Sequence, residues 1–204
     1  MPKIKICGLF RELDIEFANE AKPDFIGFVF AEKSKRYVTA KQAESLRKNL
    51  AKEIIPVGVF VNAKIEEIVG LQKNGIIDII QLHGNEPDAY IAELKQNCDA
   101  PIIRAIHSPL SIVHSPLSNY ILIDSPTPGG GQTFDWGLLQ NLDLSQNVFL
   151  AGGINLQNIS EALKLNPYAI DISSGAETDG VKDRDKMLRL VAYTRGSGKS
   201  EIKG

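Results

Sequence analysis

Residues 147–153 read NVFLAGG and residues 168–175 read YAIDISSG, two short apolar runs, each cut off by glycine or small polar residues. Neither alternates apolar with polar, as a strand with one wet face does. Both are nearly continuous in hydrophobicity, the pattern of parallel strands buried on both faces. The pattern recurs upstream at Lys3–Cys7 (KIKIC), Asp24–Phe30 (DFIGFVF), Ile54–Val61 (IIPVGVFV) and Asp78–Leu82 (DIIQL). Pro101–Ile106 (PIIRAI) and Tyr120–Asp124 (YILID) bring the set to eight, with Asn147–Ala151 and Tyr168–Ile172 as its last members.

The segments between the runs carry helical patterning. Ala40–Leu50 (AKQAESLRKNL) and Lys64–Lys73 (KIEEIVGLQK) place apolar residues three and four apart on a charged background, and Leu156–Lys164 and Asp183–Tyr193 read the same way. Asn155 and Asp183 are candidate N-caps, because a short side-chain oxygen can accept from the first unpaired helical amides. Eight strands joined by crossover helices in 204 residues leave a closed barrel or a doubly wound sheet. The even spacing and the count of eight favour a single α/β domain, a (β/α)8 TIM barrel over residues 1–194. The polar residues 195–204 (RGSGKSEIKG) then form a fraying tail. One connection is irregular: residues 107–119, HSPLSIVHSPLSN, repeat HSPLS and hold two prolines. Proline removes an amide and clashes inside a helix, so helix 5 is expected to be short or replaced by a loop.

Composition removes several function classes. The 23 basic and 25 acidic residues nearly balance, which gives no general attraction to nucleic acid or to an anionic membrane. No apolar run approaches the roughly 18–20 residues that span a bilayer, and the N-terminus lacks signal-peptide patterning. Two cysteines, Cys7 and Cys98, are too few for a disulfide framework, which fits the reducing cytoplasm and leaves Cys7 as a thiol.

In such a barrel the chemistry lies at the C-terminal ends of the strands. Polar residues gather there: Cys7, Gln81, His83, Arg104, Asp124 and Asp171. Glycines follow the same strands, at Gly8, Gly129–Gly131, Gly152–Gly153 and Gly175. After strands 7 and 8 they let backbone amides approach a phosphate closely; the alternative is that they only make tight turns. Two such loops on adjacent strands favour a small phosphorylated substrate.

Several of these stretches together resemble the phosphoribosylanthranilate isomerase family. They are KICG (5–8), GFVF (27–30), SKRYV (34–38), VGVFVN (57–62) and QLHG (81–84), followed by ID (123–124), GQTFDW (131–136), LAGG (150–153) and DISSGAE (171–177). The resemblance runs in order from the first strand to the last helix. It implies the Amadori rearrangement of N-(5-phosphoribosyl)anthranilate, a step of tryptophan biosynthesis, by general acid–base catalysis without metal or cofactor.

The resemblance makes Asp124 the acid that protonates the ring oxygen as the furanose opens. A free aspartic acid titrates near about 3.9, so the role requires surroundings that favour the acid form. The ordinary alternative for an Asp at a strand end is a loop-capping carboxylate. Cys7 is the implied base that takes the proton from C2 of the opened Schiff base. A thiol is mostly protonated at neutral pH and needs nearby positive charge, and most lone cysteines are simply small hydrophobes. Arg36 is expected to grip the anthranilate carboxylate with its planar guanidinium. The backbone amides of Gly152, Gly153, Ser174 and Gly175 are expected to hold the phosphate. Asp171 contacts the substrate amine or a sugar hydroxyl, or else has a structural role. His83 reads as a hydrogen-bonded strand-end histidine, and Cys98 has no role.

Two departures from the family pattern stand out. After the sixth strand the family reads like GG[ST]GxxFDW, whereas Pro128 and Gly130 stand here at the first Gly and the Ser/Thr, in a segment (125–135) that reads as a lid with glycine hinges. The proline-containing connection after strand 5 is the other.

Three other readings compete. A metal-dependent epimerase would want several His and carboxylate ligands at strand ends, where of the three histidines only His83 is so placed. A dual-substrate aminoaldose isomerase usually has paired Asp residues and a longer chain with two phosphate sites; Cys7 argues against it. A catalytically silent sugar-phosphate-binding barrel is the third, since fold alone does not fix function. Monomer and homodimer both stay open.

Overall fold

The computed structural model describes residues 1–106, 117–125, 135–140 and 142–196. Eight parallel strands close into one barrel, each hydrogen-bonded to the next and the eighth to the first. They are β1 (Lys3–Cys7), β2 (Phe25–Val29), β3 (Ile55–Phe60), β4 (Ile79–Leu82), β5 (Ile102–Ile106), β6 (Tyr120–Ile123), β7 (Val148–Leu150) and β8 (Ala169–Ile172). Each of the eight apolar runs in the sequence contains one of them. A short antiparallel hairpin, β9 (Glu177–Thr178) and β10 (Val181–Lys182), follows β8.

The outer layer holds α1 (Glu12–Ala21), α2 (Ala40–Asn49), α3 (Ile65–Lys73), α4 (Asp88–Asn97), α5 (Ile159–Lys164) and α6 (Arg184–Thr194). Local chemistry fixes their starts. Thr39 and Gln42 form a reciprocal capping box at α2, and the Asp183 carboxylate accepts from the Lys186 amide at α6, 3.0 Å away. Asn155 makes the bonds of an N-cap for the turn that leads into α5, its carbonyl accepting from the Ile159 amide at 3.0 Å. Its side chain accepts from the Gln157 amide at 2.9 Å, and after this capped turn α5 runs from Ile159, with Asn158 before it. The expected helix 5, the HSPLS repeat, the glycines of the 125–135 segment and most of the tail fall outside the described residues, except at their edges. Among the described residues no helix is long and apolar enough to cross a membrane.

Side-chain parity sorts the strands into two cores. Ile4, Ile6, Ile26, Phe28, Ile80, Ile102, Ile121, Leu150 and Ile170 point outward beneath the helices. The alternating positions Phe25, Val57, Ile79, Ile103, Leu122, Phe149 and Ala169 fill the barrel. At the strands' N-terminal ends this interior is closed by aromatic packing: Phe149 lies 5.5 Å from both the Tyr120 and Tyr168 rings, and Lys3 donates to the Tyr168 hydroxyl at 3.1 Å. At the C-terminal ends the inward positions turn polar, and a cavity opens there.

Candidate active site

The inward parity that fills the core continues upward into Cys7, Val29, Val59, Gln81, Asp124 and Asp171. These residues line a cavity of about 600 Å³ at the C-terminal mouth, together with Arg36, His83, Gly152, Gly153 and Ser174. Seven of the eight expected catalytic and substrate-binding residues therefore share one space. The eighth, Gly175, lines a smaller cavity of about 210 Å³ that shares Gly153 and Ser174 with the first.

Cys7 is buried at the end of β1, and its thiol packs with Val29 and Val59. Two residues earlier on the same strand, Lys5 points into the barrel and is 0% exposed. Its ammonium donates to both oxygens of Asp171, each at 3.0 Å, and its charge acts on the Cys7 thiol further along the strand. Burial by itself disfavours the Lys5 charge, but the Asp171 carboxylate and Cys7 more than offset that and hold its pKa above the ordinary lysine value. For Cys7 the balance goes the other way. Burial pushes the thiol up and Asp171 adds to that, while Lys5 and Lys182 pull it down without cancelling the effect. The Lys5 and Lys182 cations are thus the groups around the sulfur that favour its thiolate form.

Asp124 sits immediately after β6. Its Oδ1 accepts from the Ser125 amide at 2.7 Å, and its Oδ2 lies 3.3 Å from His83 Nε2. Gln81 Nε2 is 2.9 Å from His83 Nδ1, so the inward Gln81 orients a ring that faces the carboxylate. The hydrogen-bonded strand-end histidine is thus directed at Asp124.

Arg36 reaches the mouth from the segment after β2, where Nε and Nη2 donate to the two Glu177 oxygens at 2.6 and 2.7 Å. This bond raises the Arg36 pKa further. Glu177 is held below the ordinary carboxylate range: burial works against its charge, and Arg36 and Lys182 outweigh burial. Gly8 makes room for this arrangement. Its φ is +84°, and a β-carbon there would stand 2.3 Å from Arg36 Cδ.

The loops after β7 and β8 lie against each other. Gly152 and Gly153 have φ values of 88° and 64°, and the amides of Gly152, Gly153, Ser174 and Gly175 donate to no acceptor among the described residues. Four undirected backbone donors beside a small cavity are what an anion needs.

Arg104 does not join the site. It occupies an outward position of β5 between Ile103 and Ala105, and pairs with Asp88 of α4 at 2.6 Å. Cys98 is buried beside β5's N-terminal end, where its sulfur accepts from the Ala100 amide at 3.4 Å. Glu177 lines the cavity, and Lys5 and Lys182 hold Asp171 and Glu177 from beneath it; the pattern of polar strand ends singles out none of the three. Among the described residues, no group of three or more His, Cys, Asp and Glu side chains is placed to hold a metal.

A family model described as N-(5'phosphoribosyl)anthranilate (PRA) isomerase matches residues 4–193. A curated relative from Endomicrobium trichonymphae, named N-(5'-phosphoribosyl)anthranilate isomerase, is 45% identical over 201 residues, which cover 96% of this chain and 99% of the relative. The crystal structure of phosphoribosyl anthranilate isomerase from Thermotoga maritima superposes with a TM-score of 0.85 at 31% identity, covering 96% of this chain and 100% of that one. A further phosphoribosyl anthranilate isomerase, solved in complex with reduced 1-(o-carboxyphenylamino)-1-deoxyribulose 5-phosphate, superposes at 0.82 with 30% identity and the same coverage.

Proposed function

The chain belongs to the N-(5'-phosphoribosyl)anthranilate isomerase family, and from that premise we propose that its reaction runs between Cys7 as base and Asp124 as acid. The reaction is the Amadori rearrangement of N-(5-phosphoribosyl)anthranilate to 1-(2-carboxyphenylamino)-1-deoxyribulose 5-phosphate, in tryptophan biosynthesis. The observation that carries the assignment is that Cys7 and Asp124 border the same cavity from β1 and from the end of β6, with Arg36 and the glycine loops around its rim.

In the first step Asp124 gives its proton to the ring oxygen as the bond from C1 to that oxygen breaks. The nitrogen lone pair forms the C1=N bond, and a protonated Schiff base results. His83 Nε2, facing Asp124 Oδ2, can donate to the carboxylate that this leaves. In the second step the Cys7 thiolate takes the proton from C2, and the C–H electron pair moves toward the nitrogen cation. The enol so formed loses its hydroxyl proton and is protonated at C1 to give the ketone. Lys5 beside the sulfur favours the thiolate, and a remaining lone pair of Asp171 is open to the substrate amine.

Binding follows from the rim. Arg36 takes the anthranilate carboxylate, Val29 and Val59 give the aromatic ring an apolar wall, and the amides of Gly152, Gly153, Ser174 and Gly175 take the phosphate. The related phosphoribosyl anthranilate isomerase solved with reduced 1-(o-carboxyphenylamino)-1-deoxyribulose 5-phosphate carries a ligand with the same three chemical parts. We place the enzyme in the cytoplasm, a reducing compartment in which the buried Cys7 and Cys98 stay as thiols.

The test is a fluorescence assay of freshly prepared phosphoribosylanthranilate. Cys7→Ser and Asp124→Asn are each expected to lower kcat by about a hundredfold or more. Arg36→Ala is expected to raise KM with a smaller change in kcat, and a chelator to change neither. Turnover that survives in both the Cys7 and Asp124 variants sinks the mechanism. No turnover by the folded wild-type protein would favour a silent sugar-phosphate barrel.

A further inference from the structure

We propose that Glu177, braced by Lys182, is a positioning residue that presents the free edge of Arg36 to the substrate's aromatic carboxylate. The inference rests on Arg36 as the carboxylate contact and gives a part to two residues that this reading leaves without one.

A guanidinium carries five N–H donors in a rigid plane. Glu177 occupies the edge formed by Nε and one Nη2 hydrogen. The edge formed by Nη1 and the other Nη2 hydrogen meets no acceptor among the described residues, and it offers a second pair of parallel donors with the spacing of a carboxylate. A carboxylate on the first edge thus fixes the plane in which the second must be approached.

Glu177 is itself held from several sides. It pairs with Lys182 across the β9–β10 hairpin, and the Lys182 ammonium donates both to its Oε1 and to the Ser173 carbonyl, the latter at 3.1 Å. Lys186 donates to the Glu177 backbone carbonyl at 2.6 Å. On the opposite side the Arg36 stem lies against Gly8, where there is no side chain to push it away. The long arginine is therefore set in a slot before any ligand arrives, which spares the substrate the work of ordering it.

Charge agrees with geometry. Arg36 and Lys182 are cationic and Glu177 anionic, so the cluster carries a net single positive charge, matched to one carboxylate. Lys5 and Asp171 neutralise each other deeper in the barrel. If Glu177 were only a competitor for Arg36, the substrate carboxylate would have to displace it, and removing it would tighten binding. The two roles predict opposite signs.

Glu177→Gln separates them. In steady-state assays we expect KM for phosphoribosylanthranilate to rise about tenfold, with the smaller share of the effect on kcat. Binding of inorganic phosphate, followed by calorimetry, should stay unchanged, because phosphate does not meet Arg36. In an Arg36→Ala background, Glu177→Gln should change KM by less than about twofold, since the edge it presents is gone. An unchanged or lowered KM in the single variant overturns the proposal, and so does loss of phosphate binding, which would make Glu177 a general support of the mouth. If Arg36→Ala itself leaves KM unchanged, the carboxylate contact fails and this inference fails with it. If Arg36→Ala raises KM and Glu177→Gln does not, only this inference falls.

Discussion

Lys5 carries a full charge inside the barrel, and its two hydrogen bonds to Asp171 make that tolerable. Replacing it with methionine would leave Asp171 buried without its cation, and stability measured by urea unfolding should fall by about 3–5 kcal/mol. The more specific effect is on Cys7. The charged groups around the sulfur are Lys5 on the same strand, Asp171 on β8, Lys182 on the hairpin and Arg36 above. Lys5 favours the thiolate, so its loss raises the pH at which the base forms, and the acidic limb of the kcat/KM profile should move to higher pH. Asp171→Asn is expected to move that limb to lower pH, because Asp171 opposes the thiolate. A limb that stays fixed in both variants would mean that this pair does not tune the thiol.

The loops after β7 and β8 work as a unit only because they are pressed together. A β-carbon on Gly175 would stand 1.9 Å from the Ile154 carbonyl oxygen, a backbone atom with no freedom to swing aside. Gly175→Ala should therefore part the two loops and weaken inorganic phosphate binding by about tenfold or more, as titration calorimetry would show. The sequence announces these loops openly, since glycine directly after an apolar run marks a close turn. It announces the eight strands just as openly, because burial on both faces leaves each run apolar throughout. What it hides depends on parity and on distant pairing. Arg104 looks like a strand-end candidate, yet it lies one position from Ile103 and Ala105 and so faces outward to Asp88. Lys5 shares the inward parity of Cys7, which was the available signal, but a lysine in a short strand looks like an exposed residue until Asp171 is set opposite it. Glu177 lies within the DISSGAE stretch without a visible task, because its partner Arg36 is 141 residues away.

Across the whole molecule the barrel is polarised. Aromatic rings and Lys3 seal the strands' N-terminal ends, while ionisable groups collect at the other, with amides that have no acceptor among the described residues. A ligand that binds only at the assembled mouth must therefore stabilise the whole barrel. Inorganic phosphate at about a hundred times its Kd should add about 2.7 kcal/mol, seen as an upward shift of one thermal transition. No shift for wild type, or an equal shift for Gly175→Ala, would count against the glycine-loop site. The Lys5–Asp171 pair also lies on the seam where the first strand meets the last, its members 166 positions apart in sequence. On a ribosome adding about 5–20 residues per second, Lys5 waits on the order of 10–30 s for its carboxylate to be made. Throughout that time the nascent N-terminal strand can keep its ammonium hydrated. An early collapse that buried β1 against the wrong neighbour would leave that charge without its carboxylate, at a cost of several kcal/mol.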